Sequence, residues 1–400
     1  MVSIELLSGS LFIYFDDLSN VNYRFFNVKI ESIDAYPVYY PTKGRFKFLE
    51  SPDGKRTGRA AVLVKITADD GTFGWGECVP VHTWAYETLE SVTFTIRRYL
   101  TPVLIGHDPF DLVGIHQIMD QIIRPGFTTG QPMSKAGIDI ALHDLCCKSL
   151  NCSLAQYWGC PQKSEIELSW TLNPASLDDL DGMIDAGWEK GFRNFNVKVA
   201  PDPQYDIELC RRVKKRVPDG FLWADANGGY DLSSALKAAP KLADIGVDVL
   251  EAPIPPNHIS GYQRLKQQGA LPIIMDEGVI SVRDLIEFIR LDMLDGVAMK
   301  PARCGGLLTA RKQIEIVLDA GMIFLGSGLS DPDVTLSASL ALFGAFDLSY
   351  PAALNGPQFL DYSVLTSPLQ LKEGKLSVPS DPGLGIEVDQ NKIQEIQVEP

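Results

Sequence analysis

Five polar residues occur at nearly equal intervals in the middle of the chain, and each follows a short apolar segment. They are Lys198, Asp225, Glu251, Asp276 and Lys300, separated by 27, 26, 25 and 24 residues. A strand, a helix and their connecting loops occupy about that length in a repeating βα unit. Because the ends of successive parallel strands meet at one mouth of a barrel, the spacing predicts three carboxylates between two lysines in one pocket.

Such a pocket would suit the removal of a proton next to a carboxylate. Three carboxylate ligands favour a hard cation, so Mg²⁺ is predicted at Asp225, Glu251 and Asp276, with Mn²⁺ as a substitute. The cation would stabilise the charge that develops on the substrate oxygens in an enediolate. Lys198 and Lys300 are then candidate bases on opposite faces of the reacting carbon. The alternative interpretation is a ring of salt bridges at strand ends.

The elements that must position these residues alternate between strand and helix patterns from Glu165 onward. Eight strands are predicted, at 166–170, 193–198, 221–225, 247–251, 272–276, 296–300, 322–326 and 351–355. This alternation predicts a parallel sheet of the α/β class, closed as a TIM-type (β/α)₈ barrel. An open doubly wound sheet is the alternative, but no GxGxxG motif follows the first strand.

The segment before the barrel has a different pattern. Alternating residues predict three antiparallel strands, and helical stretches follow them, which indicates an α+β domain. The predicted divisions are an N-terminal extension (1–24), an α+β capping domain (25–150), a modified barrel (160–357) and a C-terminal segment that returns to the capping domain (358–400).

Composition restricts the partners of the chain. The 400 residues carry a net charge of −15, which argues against nucleic acid and anionic membranes. Seven cysteines without a CxxC pair favour free thiols in the cytoplasm. No apolar run reaches the roughly 20 residues of a membrane span, and no signal peptide is recognised. The basic segment 43–59, with Arg45, Lys47 and Phe48, is either a solvated loop or a lid that attracts an anionic substrate.

Several motifs carry a resemblance to a known family. They are Asp70-Gly71-Thr72-Phe73-Gly74-Trp75-Gly76-Glu77, Asp225-Ala226-Asn227, Glu251-Ala252-Pro253, Asp276-Glu277, and Lys300-Pro301 with Gly305-Gly306. On these motifs the chain resembles the mandelate racemase and muconate lactonizing enzyme family of the enolase superfamily, from about Val28 to Glu387. The resemblance implies a (β/α)₇β barrel, a capping domain and a Mg²⁺ site.

Lys300, together with the lack of histidine in 326–330, indicates the muconate-lactonizing-like subgroup. Two positions depart from the family pattern. Asn196 replaces the first lysine of a Lys-x-Lys motif, and Ala353 stands about where muconate-type enzymes have a glutamate. Dipeptide epimerases have an Asp-x-Asp that here reads Ala353-Leu354-Asn355, which argues against a dipeptide substrate.

The predicted function is Mg²⁺-dependent cycloisomerisation, or racemisation or epimerisation, of a small carboxylic acid. A hydroxy-acid dehydratase and a catalytically weakened metal-binding scaffold are the alternatives. The resemblance also implies a homo-oligomer, either a dimer or an octamer. The predicted substrate-binding residues are Asn196, Asn227, Trp170, Arg45, Phe48, His82, Ser327, Asp331 and Asn355. Lys47, Trp84 and Tyr86 are further candidates in the two loops that close the mouth.

Overall fold

The computed structural model describes residues 2–7, 10–15, 28–43, 49, 58–126 and 129–399. Most of the basic segment, including Arg45, Lys47 and Phe48, lies outside the described residues. In the part that is described, no helix is both long and apolar enough to cross a bilayer.

The N-terminal part contains a hairpin, an antiparallel sheet and a group of helices. The strands are β1 (Val2–Leu7), β2 (Ser10–Phe15), β3 (Ile30–Tyr40), β4 (Arg59–Ala68) and β5 (Phe73–Cys78). The helices are α1 (Leu89–Thr95), a π-helical turn (Ile96–Leu100), α2 (Thr101–Leu104), α3 (Leu112–Ile122), α4 (Pro132–Ser149) and α5 (Leu154–Trp158). The strands β3, β4 and β5 pair in that order, so the predicted three-stranded sheet is present.

Helix α4 lies unusually close to β5, and two glycines make this contact possible. A Cβ atom on Gly74 would lie 2.2 Å from the carbonyl oxygen of Ala141, and one on Gly76 would lie 1.9 Å from that of Gly137. These distances are well inside van der Waals contact, so glycine is required at both positions. The motif that carried the resemblance therefore has a packing role in this fold.

The larger part of the chain forms a seven-stranded sheet whose neighbouring strands are all parallel. After β6 (Glu165–Glu167), its strands are β7 (Ser169–Leu172), β8 (Asn194–Lys198), β9 (Leu222–Asp225), β10 (Val249–Glu251), β11 (Ile273–Met275), β12 (Gly296–Met299) and β13 (Ile323–Gly326). The helices between and after them are α6 (Leu180–Glu189), α7 (Pro203–Arg216), α8 (Leu232–Ile245), α9 (Ile259–Gln268), α10 (Val282–Arg290), α11 (Leu307–Asp319) and α12 (Asp333–Ala345). The strand order follows the chain order from β7 to β13, and this is an α/β barrel-like fold.

The predicted eighth strand is reduced to two residues that contact both edges of the sheet. Ala352 forms a parallel bridge with Leu168, and Ala353 forms one with Ser327 at the end of β13. The chain continues through α13 (Gly356–Phe359), β14 (Leu371–Lys372), β15 (Lys375–Ser377) and α14 (Gln390–Ile396). Val398 then donates its N–H to the carbonyl of Pro37 in β3, at 2.9 Å.

Glu77, near the end of β5, links the N-terminal sheet to the start of α12. Its fully buried carboxylate accepts a hydrogen bond from the Tyr40 hydroxyl (2.8 Å) and another from the backbone N–H of Thr335 (3.0 Å). Burial raises the pKa of Glu77 from its ordinary value of 4.5 to about 8. The carboxyl group therefore keeps its proton in the folded protein at neutral pH.

We expect Glu77 to make the free energy of unfolding decrease between about pH 4.5 and pH 8. In this range the folded carboxyl holds a proton that the unfolded chain has lost, so the folded state loses stability as the pH rises. Urea denaturation of the wild type and of Glu77→Gln between pH 5 and pH 9 measures the effect. The variant should show a smaller decrease, and an equal decrease in both proteins would contradict this expectation.

Candidate active site

The parallel register brings the predicted polar residues together at one end of the sheet. Lys198 lies beside Asp225, and Asp225 lies beside Glu251, as register partners on adjacent strands. The backbone turns sharply just after two of these strands, where Asn227 and Ala252 have φ values of +45° and +40°. Non-glycine residues rarely adopt this left-handed conformation, and such positions concentrate at functional sites.

Ion pairs connect the two lysines to two of the three carboxylates. The Lys198 ammonium contacts Asp225, and the Lys300 ammonium contacts Asp276. Arg303, which is 1% exposed, contacts the other oxygen of Asp276. All five side chains are largely shielded from water, so three positive charges are paired with two carboxylates in a region of low dielectric constant.

Glu251 lies between the two ion-paired carboxylates and has a different environment. The Trp223 indole N–H donates to its Oε2 at 2.6 Å, and its buried Oε1 has no hydrogen-bond partner among the described residues. Burial raises the pKa of Glu251 well above its ordinary range, and the neighbouring Asp225 and Asp276 raise it further. The site thus contains a buried carboxyl oxygen, Glu251 Oε1, beside two other carboxylates.

The pKa values of Lys198 and Asp276 are shifted by the same kinds of interaction. Burial by itself lowers the pKa of Lys198, but the charges of Asp225 and Glu251 outweigh it, and the pKa is raised. For Asp276, burial favours the neutral acid, while Lys300 and Arg303 outweigh burial and lower the pKa. In this arrangement the Lys198 amine is protonated and the Asp276 carboxyl is ionised.

The donor set fits a hard divalent cation in its chemistry. Three carboxylates from successive strands supply oxygen ligands, and the unpartnered Oε1 of Glu251 is a buried acceptor of the kind that a cation would satisfy. The described residues do not, however, form a preformed cluster of three metal-ligating side chains. The ammonium groups of Lys198 and Lys300 instead occupy oxygens of Asp225 and Asp276.

Both lysines line one small cavity of about 30 Å³, which is room for about one water molecule. Its walls are Val81, Trp84, Lys198, Asn227, Lys300, Gly328, Leu329, Ser330 and Asn355. The Trp84 indole covers it, because its N–H donates to Glu277 at 2.8 Å and its ring lies 4.8 Å from the Lys300 nitrogen. A larger cleft of about 790 Å³ lies elsewhere and includes neither lysine.

Of the predicted substrate-binding residues, Asn227 and Asn355 line this cavity. Asn227 donates to Asp225 at 3.1 Å and to Glu277 at 3.2 Å. Asn355 donates to the Thr171 hydroxyl at 3.2 Å, and its Oδ1 is buried without a partner among the described residues. Both amides therefore have fixed orientations next to the lysines.

Trp170 is not brought to the site, contrary to the prediction. Its indole donates to the carbonyl of Met183 at 3.1 Å and packs against Phe192, with a centroid distance of 4.9 Å. The side chain thus lies between the sheet and α6. Side chains alternate along a strand, so the next residue, Thr171, is the one whose side chain meets Asn355.

Four other predicted residues that the structure describes, Ser327, Asn196, Asp331 and His82, do not line the cavity. Ser327 directly precedes residues 328–330, which line the cavity. Asn196 is buried, and it lies two residues before Lys198 on the same face of β8. Asp331 is also buried, and it accepts from the Leu329 N–H at 2.8 Å, while Pro332 is the N-cap of α12. His82 is exposed and does not line the cavity.

Sequence reasoning did not identify Trp223, Arg303 and Glu277 as parts of the site. Trp223 stands two residues before Asp225, so the alternation of the strand could have placed it on the same inward face. Glu277 is linked to the cavity by its bond to Trp84, and burial followed by the charge of Asp276 raises its pKa to about 7. The position of Arg303 depends on the turn after β12, for which the sequence carries no comparable signal.

The fold and site together define a class of protein: an α/β barrel-like protein with two lysines and a carboxylate cluster at one end of its parallel strands. Two family models match the chain. A model described as enolase C-terminal domain-like matches residues 180–392, and one described as the mandelate racemase/muconate lactonizing enzyme N-terminal domain matches residues 53–159. The chain belongs to the mandelate racemase/muconate lactonizing enzyme family of the enolase superfamily.

Individual relatives agree with this membership. The chain is 31% identical over 375 residues to a chloromuconate cycloisomerase of Cupriavidus necator, covering 92% of this chain and 98% of that protein. It is 28% identical over 373 residues to an N-succinyl-L-Arg/Lys racemase of Bacillus cereus, covering 93% and 98%.

A solved structure is similar over the same length. The muconate lactonizing enzyme of Pseudomonas fluorescens, in complex with muconolactone, superposes with a TM-score of 0.84 at 26% identity, covering 92% of this chain and 99% of that one. The predicted family membership is confirmed, and the chain is an isomerase of the kind that performs cycloisomerisation or racemisation.

The contact between Arg303 and Asp276 gives a stability prediction. We expect Arg303→Met to lower the free energy of unfolding by about 3 kcal/mol, because it removes one partner of a buried ion pair. Arg311→Met is the matched control, since it breaks the partly exposed pair with Glu315 and should cost less than about 1 kcal/mol. Equal losses for the two variants in chemical denaturation would contradict the prediction.

Proposed function

We propose that this chain catalyses Mg²⁺-dependent removal of the proton α to the carboxylate of a small carboxylic acid, through an enediolate. The observation that carries the proposal is that Lys198 and Lys300, four strands apart in the sheet, line the same cavity beside three buried carboxylates. Asp225, Glu251 and Asp276 would hold the cation. When bound, Mg²⁺ would supply positive charge next to the substrate carboxylate.

The two lysines are proposed to hold and move the proton at their Nζ atoms. A bound cation would neutralise the carboxylates that now raise the pKa of Lys198. Shielding from water would then lower the lysine pKa below that of a free lysine, so the proton would be lost more easily. One lysine would remove the proton from one face of the carbon, and the other would return it to the opposite face. This arrangement supports racemisation or epimerisation, and cycloisomerisation needs a proton transfer at a single face.

Both reactions occur among the similar proteins. The relatives include a chloromuconate cycloisomerase and an N-succinyl-L-Arg/Lys racemase, so the proposed substrates are muconate-type lactones or N-acylated amino acids. A lactone would lose its α-proton as the ring opens to the unsaturated dicarboxylate, and ring closure is the reverse reaction, in which the α-carbon gains the proton. Asn227 and Asn355 are proposed to contact the substrate, because their amides line the cavity beside the lysines.

The finer architecture belongs to the same proposal. We infer that Ala352 and Ala353 close the seven-stranded sheet into a barrel, since they bridge to both of its edges. The α+β segment 25–150 is proposed as a cap over the barrel of residues 160–357, because Trp84 reaches Glu277 and covers Lys300. The segments 1–24 and 358–400 are proposed as an extension and a return to the cap.

Proton exchange tests the proposed chemistry directly. In deuterated buffer with Mg²⁺, the wild type should exchange the α-proton of at least one acid in a panel of muconolactones and N-acyl amino acids, as followed by NMR. Lys198→Ala and Lys300→Ala should each slow the reaction by about 10²–10⁴-fold, the usual contribution of a positioned base. Lys266→Ala, which removes a lysine paired with Asp295 outside the site, is the control and should have no effect. Wild-type protein that binds metal but exchanges no substrate would favour the scaffold alternative.

Metal binding gives a second test that does not depend on the substrate. Saturation with Mg²⁺ at 100 times its Kd should raise the free energy of unfolding by about 2.7 kcal/mol, because the cation binds only the folded state. Asp225→Asn should reduce this stabilisation. Thermal denaturation after treatment with a chelator and readdition of Mg²⁺ measures the effect, and a melting temperature that neither Mg²⁺ nor Mn²⁺ changes would contradict the metal site.

A further inference from the structure

Trp223 fills the interior of the sheet beneath the candidate active site. It lies on β9 two residues before Asp225, and its side chain is completely buried. The indole belongs to an inward-facing cluster formed by Trp223, Val249, Ile274, Ala298, Leu325 and Ala353. We call this cluster the apolar floor, because it lies directly beneath the polar residues at the ends of the same strands.

The floor has room for an indole because two of its other members are alanines, Ala298 and Ala353. Asn196 is the register partner of Trp223 on the neighbouring strand, and it is 1% exposed. Asn196 and Ala353, the two unusual positions noted in the sequence, thus lie around the same large side chain. Ala353 belongs to the packing of the floor and does not line the cavity.

The indole also makes a polar contact with one carboxylate of the site. Its N–H donates to Glu251 Oε2 at 2.6 Å, and both groups are buried. This bond occupies one oxygen of the carboxylate and leaves Oε1 as a buried acceptor without a partner among the described residues. The indole itself is fully buried in the floor, so the donor of this bond has little freedom to move.

We propose that Trp223 is a positioning residue for Glu251: its N–H holds Oε2, so that Oε1 alone is presented to the cation. The proposal rests on the metal-binding role of Glu251 in the proposed function. Donors that orient metal ligands typically contribute 10–100-fold to metal affinity. A purely space-filling role for Trp223 would instead affect stability and leave metal affinity unchanged.

The first experiment measures Mn²⁺ and Mg²⁺ affinity of the full chain by isothermal titration calorimetry. Trp223→Phe keeps an aromatic ring in the floor and removes the donor, so the Kd should rise about 10–100-fold. Trp170→Phe is the matched control, because it also removes a buried indole N–H bond, to the Met183 carbonyl, away from the site. Its Kd should stay within about twofold of wild type. A Kd for Trp223→Phe that is also within twofold would overturn the proposal.

A second pair of variants separates packing from the hydrogen bond. Trp223→Val leaves a cavity, and the double variant Trp223→Val with Ala353→Leu approximately restores the volume of the floor. The double variant should regain melting temperature relative to Trp223→Val while its metal affinity stays weak. Recovery of wild-type affinity in the double variant would show that packing alone matters and would overturn the proposal.

Glu251→Ala distinguishes this inference from the proposed function. If Glu251→Ala weakens metal binding and Trp223→Phe does not, Glu251 is a ligand and the positioning role of Trp223 alone is wrong. If Glu251→Ala leaves the Kd unchanged, the metal-binding role of Glu251 is wrong, and the inference about Trp223 is wrong with it.

Discussion

The alternation of side chains along parallel strands is the constraint on which the candidate active site depends. Residues two apart on one strand face the same side of the sheet. Each strand therefore contributes one inward-facing side chain to a lower layer and another to an upper layer. The lower layer is the apolar floor around Trp223. The upper layer contains the lysines and carboxylates, held close together because the strands are in register.

This arrangement concentrates charge where water cannot screen it. Burying charged groups costs free energy that ion pairing only partly offsets, so such a cluster is better explained by function than by stability. Lys198, Lys300 and Arg303 form ion pairs with Asp225 and Asp276, while Glu251 accepts a hydrogen bond from a neutral donor. A divalent cation would change this balance most strongly at Glu251, which has no ion-pair partner among the described residues.

The periodic parts of the fold were predictable from the sequence. Strands that end at evenly spaced polar residues were placed within about two residues of those observed, because burial on both faces gives short apolar runs with clear ends. The predicted strand at 351–355 is reduced to two bridging residues, and the predicted helical stretches of the N-terminal part include a π-helical turn at Ile96–Leu100. Neither difference has a signal in the local pattern of apolar and polar residues.

The sequence predicted which side chains line the site only where the alternation of side chains along each strand was taken into account. Lys198 and Lys300 line one cavity, and Asn227 and Asn355 line it with them. The prediction that Trp170 lines the pocket missed the inward-facing residue of its strand by one position, because the side chain of Trp170 faces the helical layer. His82 is exposed, because its position depends on the path of a long loop.

A crystal structure with Mn²⁺ tests the proposed metal site between the two lysines most directly. An anomalous-difference map should show one peak within about 2.0–2.3 Å of an oxygen from each of Asp225, Glu251 and Asp276. The ammonium groups of Lys198 and Lys300 should then no longer contact the liganding oxygens. A map at saturating Mn²⁺ without a peak there, with both lysine–aspartate pairs intact, would contradict the account.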